Sequence, residues 1–74
     1  MERLSILKEN TKGKVAEIIG DTHLQSRIIS IGITVGSDIE VIQNYKKQPI
    51  LIYCRDTMIA VNKIEAEKIM MEVL

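Results

Sequence analysis

His23 and Cys54 are the single imidazole and the single thiol that this chain can offer to a transition metal, and such a site normally gathers three or four ligands, imidazole or thiolate among them. One of each, far apart in sequence, does not make a set. Cys54 falls in register with Ile50 and Ile52 along a predicted strand, where a free thiol behaves as a small hydrophobe. His23 falls in the first turn of a predicted helix, where its imidazole is solvated. The acidic pairs Glu65 with Glu67 and Asp38 with Glu40 are accounted for by solvated faces, and no local spacing marks a general acid and its base. No nucleophile stands beside a base, and Gly32 and Gly36 lack both the glycine spacing of a P-loop and its Gly-Lys-Ser/Thr end. No catalytic residue, no cofactor and no metal held within one chain is therefore expected.

What remains is the chemistry of contact. Leu24, Ile28 and Ile31 recur at the spacing that stacks side chains on one helical face, so they are expected to bury. That leaves His23, Arg27 and Ser30 outward, with Ile29 at the margin of the apolar stripe. Tyr45, in a polar loop, is the other unusual exposure, since loop aromatics are favoured at interfaces. Met58, Met70 and Met71 suit core filling better than an adaptable surface.

The elements that must carry these residues are short. Thr22 and Gln25 fit a capping box, so the helix begins there, and Gly32 follows its last apolar position, with Ile33 placed to pack back on Ile28. Upstream, Leu4, Ile6 and Leu7 precede a polar turn over Lys8 to Lys12 that ends at Gly13, with Asn10 best able to take positive φ. Gly13 and Gly20 bracket a strand from Lys14 to Ile19 whose apolar pattern calls for a bulge. After the turn at Gly36, Ile39 and Val41 alternate on a second strand. Pro49 opens a third through Cys54, and Arg55 to Thr57 connect it to Met58–Val61 as an antiparallel hairpin. Asn62 with Glu65 caps a short helical turn before a closing strand carrying Ile69, Met71 and Val73. The expected fold is mainly β: a small, partly open barrel of five to six strands, SH3-like, with one helix inserted early and a helical turn before the last strand.

A chain of 74 residues makes one domain, 1–74, with one small core. Without Trp or Phe, that core is aliphatic. Ten basic residues balance ten acidic ones, which argues against nucleic acid, whose grip needs a Lys/Arg surplus. A single cysteine excludes an intramolecular disulfide, nothing at the N-terminus resembles a signal peptide, and no run approaches the roughly 20 apolar residues of a membrane span. A cytoplasmic protein without membrane insertion is expected, and the sequence leaves a homo-oligomer open.

One run ties these features to a family. Arg27, Ile28, Ile29, Ile31, Gly32, Ile33, Gly36, Ile39 and Val41 match an Arg-aliphatic-aliphatic-x-aliphatic-Gly-aliphatic-x-x-Gly-x-x-aliphatic-x-Val pattern. Leu7, Gly13, Val15, Ile18 and Gly20 match its N-terminal part, and Pro49, Ile50, Ile59, Ala60, Val61, Glu65, Ala66 and Ile69 its C-terminal part. The chain thereby resembles the FeoA family of ferrous-iron transport proteins, and with it the SH3-like C-terminal domain of repressors of the diphtheria-toxin-repressor type. It departs from the family at Glu9-Asn10, Val35, Gln48 and Asp56, where proline or glycine is usual. The resemblance implies a small accessory protein of bacterial ferrous iron uptake that acts on the cytoplasmic part of an FeoB-type permease. Its contact residues would be Arg27, Ile29, Ser30 and Tyr45, with Gly13, Gly20, Gly32 and Gly36 shaping the turns. The rival readings are a peptide-binding or metal-responsive regulator module, and direct metal binding by His23, Cys54 or surface carboxylates between protomers.

Overall fold

The short alternating runs are realised as one antiparallel sheet that curls around an aliphatic core. The computed structural model describes residues 1–74. In chain order these form β1 (Glu2–Arg3), a 3-10 turn (Leu4–Ile6), β2 (Lys12–Ile18), α1 (Thr22–Ser30), β3 (Asp38–Gln43), β4 (Ile50–Cys54), β5 (Thr57–Val61), α2 (Lys63–Ala66) and β6 (Ile69–Val73). The six strands lie in the order β1-β6-β2-β3-β4-β5. The mainly β expectation holds. β2, β3, β4 and β5 form a meander, and the last strand returns to pair with β2, so the chain's two ends close one side of the sheet.

The inward residues of each strand supply most of the core, including Val15, Ile39, Val41, Ile50, Ile52, Val61, Ile69 and Met71. Leu4, Leu7, Ile28, Ile33 and Ala66 close it from the turns and helices. Both tyrosines stay outside. Cys54 is part of this core, with its Sγ 4.0 Å from the Gly32 carbonyl. The bulge in β2 falls between Val15 and Glu17, opposite β6. The β4–β5 turn is Arg55-Asp56 alone, both residues at positive φ, and Thr57 already belongs to the strand. Such a turn matches the twist of the strands it joins.

Three expectations are corrected. The helix cap is Asp21, whose Oδ1 accepts from the Leu24 N–H at 2.9 Å; Thr22 is the first helical residue. The capping pattern in Gly20-Asp21-Thr22 therefore acts one residue earlier than read, because a carboxylate competes well with a hydroxyl for that donor. Gln25 does reach back, but to the Gly20 carbonyl. Ile31 is not buried: it is the C-cap, with ψ near 1°, and leaves the helical face, so Ile33 fills the core instead. Gly13 is not in a turn. It is the second residue of β2, buried between Ile39 of β3 and Val73 of β6.

Candidate partner-binding surface

The placement of α1 follows from its two ends and one anchor. Asp21 fixes the start, and Ile28, fully buried, pins the middle to the core. At the end, the Gly32 N–H donates to Ile29 O at 2.9 Å and the Ile33 N–H to Ile28 O at 3.3 Å. This is a Schellman pair, and it needs the left-handed φ of +104° that Gly32 adopts. Gly20 and Gly36 also take positive φ, at either end of the connection between β2 and β3.

With α1 so held, two of the outward residues are engaged with the protein itself. Arg27 Nη2 lies 2.9 Å from Glu65 Oε2. Glu65 is buried in α2, where the Asn62 side chain caps its N–H at 2.8 Å, so the pair ties one helix to the other. Ser30 Oγ donates to the Arg27 carbonyl at 2.7 Å. Ile29, by contrast, is 51% exposed and the neighbouring Ile31 38%.

Tyr45 is held by a different route. Asn44 donates to the carbonyls of Ser5 and Leu7 at 3.1 and 2.7 Å and accepts from Lys63 Nζ, which also donates to the Tyr45 carbonyl at 2.9 Å. The loop backbone is thus fastened to the 3-10 turn and to α2 while the Tyr45 side chain stays 49% exposed, accepting from Gln43 Nε2. α2 is the common support: Glu65 engages α1 and Lys63 engages the Tyr45 loop. Between those two residues stands Ile64, 74% exposed, which the sequence reading missed. Its only signal is an inverted pattern, since in this short helix Glu65 and Ala66 are buried and the isoleucine is not.

The remaining candidates lie apart. His23 is exposed in the first turn of α1, and no group of three or more His, Cys, Asp and Glu side chains is assembled. A shallow groove of about 380 Å³ includes Lys12, Asp38, Glu40, Tyr53 and Arg55 in its lining and none of the four contact candidates. No helix is long and apolar enough to cross a membrane.

The sequence matches the FeoA domain over residues 2–73. The chain belongs to the FeoA family. A crystal structure of an iron uptake regulatory protein, FeoA, shares 29% identity with a TM-score of 0.93, covering 97% of this chain and 96% of that one. FeoA from Stenotrophomonas maltophilia, solved as a zinc complex and described as a prokaryotic SH3 domain protein, is 18% identical with a TM-score of 0.80, covering 97% and 91%. A manganese-dependent transcriptional repressor is 21% identical with a TM-score of 0.90; the match covers 99% of this chain and 41% of the repressor. Comparison with curated protein sequences gives no match. The FeoA domain here is thus an SH3-like sheet in which α1 occupies the long connection between β2 and β3.

Proposed function

We propose that this FeoA-family chain is a cytoplasmic accessory module of bacterial ferrous iron uptake that docks on the cytoplasmic part of an FeoB-type permease. The surface used is the outer side of α1 with the Tyr45 loop, including Arg27, Ile29, Ser30 and Tyr45. The supporting observation is that α2 carries both regions: the Arg27–Glu65 pair and the Lys63–Tyr45 bond fasten them to one short helix, with Ile29, Ile64 and Tyr45 left exposed. Exposed apolar and aromatic side chains on a fixed backbone suit a preorganised contact, because little freedom is lost on binding. Docking alters transport or nucleotide turnover by favouring one conformation of the permease, to the extent that the two conformations present different surfaces.

An isotope-edited NMR titration with the nucleotide-bound cytoplasmic part of the cognate permease tests this directly. Saturable shifts concentrated on residues 27 to 36 and on the Tyr45 loop are expected, with Ile29→Glu weakening binding about tenfold or more. Absence of shifts in every nucleotide state would overturn docking on that part.

A further inference from the structure

The two edges of the sheet are unlike. β1 is two residues long and both, Glu2 and Arg3, are charged, which is how natural sheets protect an edge. β5, the opposite edge, runs Thr57-Met58-Ile59-Ala60-Val61 with no charge and no proline, and its five pairs with β4 follow one another without a register shift. It carries none of the devices that prevent strand addition. A two-residue turn closes on a hydrogen-bonded pair, here Cys54 with Thr57, and the alternation that follows gives Ile59 and Val61 to β4 while the N–H and C=O of Met58 and Ala60 face the open side. No turn, loop or cap bond reaches either residue. Met58 is 52% exposed and Ala60 is exposed beside it.

We propose that this edge pairs with its own kind: two copies of the chain join β5 to β5, antiparallel, about a two-fold axis at Ile59. The occupant is argued from self-complementarity. With Ile59 on the axis, Met58 of each copy lies opposite Ala60 of the other, so the outward donors and acceptors meet in two hydrogen-bonded pairs. A long side chain then faces a short one on both sides of the axis. No like charges oppose each other within the paired strands, and the chain's formal net charge of +0 imposes no general repulsion between copies. The position of a Cβ on Gly32 is 3.7 Å from Ile59 Cδ1, so the end of α1, with its half-exposed Ile31, flanks the axis and adds apolar surface. A five-residue edge falls short of the roughly 1,200 Å² that stable interfaces bury, so the dimer is weak and concentration-dependent. This inference is independent of the permease reading.

Sedimentation equilibrium and amide hydrogen exchange on the whole chain, from about 10 μM to about 1 mM, test it. The average mass is expected to rise toward two chains, with Met58 and Ala60 amide exchange slowing about fourfold to sevenfold over that range. Ala60→Lys and Met58→Lys, both at exposed positions, abolish both effects with the thermal midpoint of the monomer unchanged, and Ile64→Lys leaves both intact. A mass that stays at one chain overturns the proposal. So does association that survives both β5 variants, association lost in Ile64→Lys instead, or protection of Met58 and Ala60 that arises only when the permease domain is added, which would assign the edge to a strand of that partner.

Discussion

Gly13→Ala separates the observed role of this glycine from the turn role that its sequence context suggests, because the two predict opposite signs. The φ of Gly13 is not in the positive region, so alanine can adopt its backbone conformation, and only space is at issue. A Cβ built there meets Glu72 O at 2.4 Å, with Glu72 C and Val73 Cα at 3.2 Å. That is about 1 Å short of ordinary contact, and the obstacle is backbone in the β2–β6 ladder, which cannot rotate aside as a side chain could. β6 must move away from β2, where Leu74 N donates to Lys12 O at 2.9 Å. Overpacking of this kind costs about 1–3 kcal/mol, offset by roughly 0.4–1 kcal/mol from the reduced freedom of the unfolded chain. A net loss of about 1–2 kcal/mol is expected, which in a domain this small lowers the thermal midpoint by about 4–15 °C. Thermal and urea denaturation followed by circular dichroism measure it, and faster amide exchange confined to residues 12–15 and 72–74 locates it. A glycine in an open turn would give the opposite result, a stabilisation of about 0.4–1 kcal/mol. Unchanged or raised stability in Gly13→Ala would refute the close approach of β2 to β6.

Asp21→Ala is expected to cost about 1 kcal/mol in chemical denaturation through loss of the α1 cap, while Thr22→Ala stays within about 0.5 kcal/mol; the reverse ranking would restore Thr22 as the cap. Arg27→Ala strands the buried Glu65 carboxylate, and because the Arg27 side chain is 61% exposed the loss is discounted to about 1–2 kcal/mol. Adding Glu65→Gln should recover part of it, so a double-mutant cycle should show coupling of about 1 kcal/mol; purely additive effects would mean that the pair does not tie α1 to α2.

The strands were legible wherever one face is apolar and the other is not. Ile50, Ile52 and Cys54 point inward in β4, the β2 bulge falls in the segment whose pattern required one, and Asn62 caps α2 through the Glu65 N–H. Local rules sufficed there because the local preference and the global packing agree. The misreadings cluster where a distant strand or helix decides. Gly13 looks like punctuation after a polar run, and only the arrival of β6, at the far end of the chain, makes it a packing residue. Ile31 belongs to the helical stripe by spacing, yet the C-cap rotates it out and hands its place to Ile33. Glu65 reads as a solvated partner of Glu67, whereas it is buried against Arg27.

That last pair changes how the candidate surface must be probed. An arginine on the outer side of a helix reads from sequence as a free contact, but Arg27 holds α1 to α2, and its own carbonyl accepts from Ser30. A loss of partner binding in Arg27→Ala could therefore come from a displaced α1 with no lost contact at all. Ile29 and Ile64 have no such second duty: both are exposed and neither uses its side chain to hold an element in place. If docking uses this face, Ile29→Glu and Ile64→Glu should weaken binding with little change in unfolding free energy, while Arg27→Ala changes both. The ratio of the two effects at each position distinguishes a residue that touches the partner from one that positions the residues that do.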